Sequence, residues 1–149
     1  MKKEIKTEII IQETPERVWE VLTNFKGYSD WNPFIKSLEG KVKVGGKIIV
    51  RLESPGAKGM TFTPKVLTFD QNKEFKWIGR LFLPGIFDGE HRFELIDNGN
   101  GTTTFIQAER FNGILVRMLS GMLDGSTLNG FKAMNEQLKI ESERRREHP

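Results

Sequence analysis

The sequence predicts an α+β fold: a curved antiparallel sheet of six or seven strands wrapped around one long C-terminal helix, with two short helices between the first strand and the second. Three observations carry this. From Gly113 to Arg146 apolar residues recur at helical spacing; from Ile35 to Phe111 short strand patterns alternate with turn residues; and the only other helix signals lie between Thr14 and Phe34. A sheet of seven antiparallel strands must curl. Its concave face then needs an apolar cover, which the terminal helix supplies.

From Lys3 to Gln12, Ile5, Thr7, Ile9 and Ile11 alternate with Glu4, Lys6 and Glu8, the pattern of a half-buried strand. Thr14-Pro15-Glu16 gives a hydroxyl cap, a proline at the first helical position and an acidic first turn. Val18, Trp19, Leu22 and Phe25 supply that helix's buried face, and Gly27 is the expected stop. In Tyr28-Ser29-Asp30-Trp31-Asn32-Pro33-Phe34, Pro33 forbids a continuing helix and pushes Asn32 to extended geometry, so one helical turn feeds a strand. Strand candidates follow at Ile35–Gly40, Lys47–Ser54, Met60–Phe69, Glu74–Phe82, Ile86–Ile96 and Thr102–Phe111, joined by Gly45-Gly46, Ser54-Pro55-Gly56, Gln71-Asn72, Pro84-Gly85 and Asn98-Gly99-Asn100-Gly101.

In the last segment Leu115, Met118, Leu119, Met122 and Leu123 share one helix face. After Asp124-Gly125-Ser126 the stripe resumes as Thr127, Phe131, Met134 and Leu138, rotated about the axis, which predicts a kink or short break. Gly130 lies inside the buried stripe, where a missing side chain either lets a backbone approach or leaves space. Beyond about residue 141 the chain, with Arg144-Arg145-Arg146 and His148, has no apolar face and reads as a fraying basic helix end.

At 149 residues the chain fits one domain, residues 1–149. The net charge of +3 is interspersed, which argues against nucleic acid as partner. The absence of cysteine excludes disulfides, thiolate metal sites and a cysteine nucleophile. No apolar run approaches a membrane span and Met1-Lys2-Lys3 leads into no signal-peptide core, so a cytoplasmic protein without integral membrane association is expected. With one internal histidine no metal site is expected, no phosphate-binding glycine loop calls for a cofactor, and a serine hydrolase lacks its nucleophile elbow.

Strand parity selects the face toward the helix. It carries Phe75, Trp77, Gly79 and Leu81 in one strand, Phe87, Gly89, His91, Phe93 and Leu95 in the next, and Thr103, Phe105, Gln107, Glu109 and Phe111 in the last. Hairpins about Pro84 and Asn100 place His91 between Trp77 and Glu109. Leaving that carboxylate buried and unpaired costs several kcal/mol, so Glu109 is expected to pair with His91. The pair could serve as a proton donor to a bound carbonyl or phenolate, as a polar handle for a ligand, or as a structural hydrogen bond. Trp31, Phe34, Phe62, Phe87, Leu115, Leu119 and Met122 are candidates for a pocket wall, with Trp77, Phe93, Gln107 and the His91–Glu109 pair behind or beside them. Pro84-Gly85 and Ser54 to Gly59 are candidate gating loops.

The runs Thr14-Pro15-Glu16-Arg17-Val18-Trp19, Trp31-Asn32-Pro33-Phe34, Asp88-Gly89-Glu90-His91-Arg92-Phe93, Glu109-Arg110-Phe111-Asn112-Gly113 and Gly130-Phe131-Lys132-Ala133-Met134-Asn135 resemble the SRPBCC, or START-like helix-grip, superfamily, and within it the bacterial polyketide cyclase/dehydrase subgroup. The resemblance implies a cavity between sheet and long helix that takes a small apolar or amphipathic molecule such as a lipid, polyketide or aromatic metabolite. It implies no shared reaction. Two alternatives remain: a cyclase/dehydrase-like enzyme using His91 and Glu109, and a protein-interaction module of the kind found in a co-chaperone branch.

Overall fold

The computed structural model describes residues 2–54, 58–81 and 83–144. Among them are eight strands: β1 (Lys2–Ile11), β2 (Ile35–Gly40), β3 (Ile48–Leu52), β4 (Met60–Phe62), β5 (Lys65–Asp70), β6 (Glu74–Leu81), β7 (Phe87–Asp97) and β8 (Thr103–Asn112). The helices are α1 (Pro15–Leu22), α2 (Tyr28–Trp31), α3 (Val116–Met122) and α4 (Leu128–Arg144), with a 3-10 turn at Phe25–Gly27 and a π-helical turn at Leu123–Thr127. A five-stranded antiparallel sheet runs β1-β8-β7-β6-β5, and a three-stranded one runs β2-β3-β4. Main-chain bonds stitch the two together where Gly45 N reaches Val66 O (2.9 Å), Val66 N reaches Gly46 O (2.8 Å) and Ile48 N reaches Pro64 O (3.0 Å). The result is one curved wall in two parts.

Helix α1 starts as expected: Thr14 Oγ1 accepts from Arg17 N at 3.3 Å and Pro15 opens the first turn. It stops at Leu22 rather than Gly27, because Thr23 folds back and sends both its N–H (2.9 Å) and its hydroxyl (2.8 Å) to Trp19 O. Asn32 is extended, as Pro33 requires, and its Oδ1 accepts from Phe34 N (2.9 Å) and Ile35 N (2.8 Å) to launch β2. The expected single strand Met60–Phe69 is two strands in different sheets. Pro64 lies between them and has no N–H to give a ladder, so β4 pairs with β3 and β5 with β6.

The break expected near Asp124-Gly125-Ser126 is the π-helical turn. One wide turn rotates the following stripe, so that Val116 before it, Leu123 at its start and Phe131, Met134 and Leu138 after it are all buried. Each such side chain contributes about 1.5–3 kcal/mol. At Gly130 a Cβ would stand 2.5 Å from Phe34 Cδ1, so the glycine makes room for that ring rather than for a strand. Helix α4 continues to Arg144 with Ser142 buried, past the point where fraying is expected; Arg145, Arg146 and His148 lie outside the described residues, as do Pro55 to Ala57 of one candidate gating loop and Phe82. Among the described residues no helix is long and apolar enough to cross a membrane.

Candidate functional site

The site is set by two hairpins. Gly99 (φ 79°) and Gly101 (φ 83°) take the left-handed conformations of the β7–β8 turn, and Asp97 Oδ1 accepts from Gly99 N at 2.9 Å. That turn fixes the register that places His91 opposite Glu109 and Phe93 opposite Gln107. The β6–β7 turn, with Gly85 at φ 90°, places Trp77 opposite His91 and Gly79 opposite Gly89. All these side chains share the inner face because side chains alternate along a strand.

His91 is the centre of a buried polar chain. Its Nδ1 lies 3.0 Å from Glu109 Oε1, and its Nε2 lies 3.0 Å from Gln107 Oε1. Gln107 Nε2 donates to Asn135 Oδ1 (2.8 Å) and, at 3.4 Å, to the main-chain carbonyl of Phe131; Asn135 Nδ2 donates to Thr7 Oγ1 (2.8 Å), and the Thr7 hydroxyl donates to the main-chain carbonyl of Gln107 (2.9 Å). Two main-chain carbonyls, which only accept, orient both amides. Gln107 therefore turns its oxygen to His91, and His91 Nε2 must carry a hydrogen. The imidazole is enclosed by Trp77, stacked at 4.9 Å, Phe93 at 4.8 Å, Phe131 at 4.9 Å and Phe34 at 6.4 Å. It is 1% exposed, so nothing of ligand size reaches it.

The open space lies beside this chain. A pocket of about 140 Å³ is walled by Phe34, Leu52, Met60, Phe62, Phe87 and Phe111, covered by Met122, Leu123, Ser126 and Thr127, and floored by the paired Gly79 and Gly89. Exposed Lys58, Met60 and Met122 flank its mouth. Among the described residues that line it, Glu109 is the one acid. A Cβ on Gly89 would fall inside contact distance of Glu109 Oε2, so the glycine is what lets the carboxylate sit there.

Of the residues singled out in the sequence, Phe34, Phe62, Phe87, Glu109 and Met122 line this pocket. Trp77, His91, Phe93 and Gln107 lie behind it, fully packed, because Phe34 and Phe131 close over the imidazole. Trp31 packs edge-on against Tyr28 at 5.3 Å, and Leu115 and Leu119 pack partly buried against the core. The middle of the gap between α4 and the sheet is filled by Phe131, Met134 and Leu138, and the pocket lies toward the end covered by Met122 and the π-helical turn. Sequence reading passed over Thr7 and Asn135, although each sits on an apolar stripe, and over the floor made by Gly79 and Gly89.

A wider, shallow groove of about 600 Å³ crosses the outer face of the large sheet. It is paired charge open to water: Glu4 meets Arg110 (3.2 Å) and Arg92 (3.4 Å), and Arg80 meets Asp88 (3.8 Å). The Arg110 and Arg92 guanidiniums hold the Glu4 carboxyl below its usual range. Among the described residues no group of three or more His, Asp or Glu could hold a metal.

The family profile described as "Polyketide cyclase / dehydrase and lipid transport" matches residues 2–142. No curated protein matches the chain by sequence. Among solved structures, a Streptomyces aromatase/cyclase, Zhui, superposes with a TM-score of 0.79 at 16% identity over 97% of this chain and 96% of that one. Norcoclaurine synthase of Thalictrum flavum, in complex with dopamine and hydroxybenzaldehyde, gives 0.72 at 16% identity over 100% and 89%. A Staphylococcus aureus protein of unknown function gives 0.73 at 16% over 99% and 98%. These likenesses share the helix-grip architecture, and with the profile spanning nearly its whole length the chain belongs to the polyketide cyclase/dehydrase and lipid transport family.

Proposed function

We propose that the protein binds a small, mostly apolar molecule in the pocket beneath α3 and the π-helical turn. One observation carries this: an apolar room with four aromatic walls and a carboxylate, held open by two paired glycines. Its 140 Å³ is close to the roughly 150 Å³ of an apolar cavity that takes benzene, so one aromatic ring fits without rearrangement. Such a ring buries roughly 150–200 Å², about 4–5 kcal/mol at 25 cal/mol per Å². That corresponds to dissociation constants of about 0.1–1 mM. Larger lipids or polyketides require Met60 and Met122 to repack, which methionine does readily. Native mass spectrometry of freshly isolated protein, followed by titration with single-ring aromatics, tests the reading. Protein that is always empty and binds no such ring at millimolar concentration would overturn it.

A second reading, acid/base chemistry of the cyclase or dehydratase kind, is favoured by Glu109 facing the pocket with His91 in contact behind it. In that case Glu109 touches substrate and His91 positions it. Glu109→Gln would then abolish turnover while ligand binding persists, and unchanged turnover would remove this reading.

A further inference from the structure

The hydrogen bonds behind the pocket determine what a ligand must bring to it. Because His91 Nε2 is committed as donor to Gln107 Oε1, the 3.0 Å contact between His91 Nδ1 and Glu109 Oε1 needs one proton, on one atom or the other. If the proton is on Nδ1, Glu109 is a carboxylate and Oε2 accepts. If it is on Oε1, Oε2 is a carbonyl oxygen and again accepts. Both arrangements leave the pair with no net charge. Oε2 sits above Gly89 at the pocket floor, and no residue described donates to it.

We infer that Glu109 is the specificity-determining residue of the pocket, selecting a ligand that presents a neutral hydroxyl to Oε2 while its apolar body lies against Phe34, Phe62, Phe87 and Phe111. A hydrocarbon of the same shape leaves Oε2 buried without a partner, which is costly. A cation gains no compensating charge, since the His91–Glu109 pair is already neutral, and it must give up its water to enter apolar walls. A phenol or alcohol satisfies the oxygen at neither cost. The inference rests on the pocket being the binding site, and its test separates the two.

Phenol, toluene and benzylammonium are titrated calorimetrically into the protein. Phenol and toluene are close in shape, and toluene is the more apolar, so burial alone ranks toluene first. The expected result is phenol at least tenfold tighter than toluene and than benzylammonium. In Glu109→Met the order of phenol and toluene reverses. In Glu109→Gln, which keeps a carbonyl toward the pocket and a partner for His91, the phenol preference persists. If toluene equals or exceeds phenol in the unaltered protein, or benzylammonium does, the inference is overturned while the pocket reading stands. Loss of the phenol preference in Glu109→Gln also overturns it, and this variant decides the matter should Glu109→Met fail to fold. If none of the three binds, the pocket reading itself fails.

Discussion

Gln107→Leu tests whether the buried polar chain acts as a unit. Leucine approximates the volume of glutamine, so the enclosure around it stays filled. It removes the acceptor for His91 Nε2 and the donor for Asn135 Oδ1, leaving two buried polar atoms without partners. Each costs about 1–3 kcal/mol, and added apolar burial returns about 1 kcal/mol. The net loss is about 3 kcal/mol, a large share of a stability of about 5–15 kcal/mol. With a urea slope of about 1.5–2 kcal/mol per M the unfolding midpoint falls by about 1.5–2 M. Adding Asn135→Leu removes one of the orphaned atoms, so the double variant loses less than the two single losses together, by about 1–2 kcal/mol. A midpoint drop under about 0.5 M at unchanged slope, or strict additivity, would refute the reasoning.

Three other outcomes follow from the same structure. Gly89→Ala puts a Cβ against Glu109 Oε2 and shrinks the pocket floor; a loss of about 1–3 kcal/mol in denaturant unfolding is expected, with phenol binding abolished in calorimetry. Tyr28, the single tyrosine, is fully buried with its hydroxyl donating to Leu22 O, and burial pushes its ionisation well above the usual range. Its contribution to stability is therefore complete below about pH 10, the unfolded value, and is lost above it at about 1.4 kcal/mol per pH unit. Alkaline melts of Tyr28→Phe should lack that slope, and tyrosinate absorbance in the unaltered protein should rise only with unfolding. Gly121 lies in α3 with open space where a Cβ would be, so Gly121→Ala should stabilise by up to about 1 kcal/mol and raise Tm by about 2–4 °C.

Much of the site was legible because strands count by twos and short turns fix where the count begins. Asn98 to Gly101 and Pro84-Gly85 were enough to place His91 between Trp77 and Glu109. What the count could not supply was depth. Phe34 and Phe131 arrive from other elements and close over His91, so an inward-facing histidine is sealed off while its partner Glu109 meets the pocket. Likewise Gly79 and Gly89 look unremarked within their strands, and only their pairing across β6 and β7 makes a floor. The split at Pro64 went unread although its missing N–H signalled a break, and the stop after Leu22 depends on Thr23 choosing Trp19 O over water.

The wide turn at Leu123–Thr127 acts as a phase shifter between two helical halves. The turn itself, with Met122 at the end of the half before it, covers the pocket, and the half after it carries Phe131 and Asn135, which hold the polar chain. Each half keeps its own angular register, so substitutions at Met122 can reshape the cover without turning Asn135 away from Gln107. Recognition and scaffolding are thereby decoupled along a single rod.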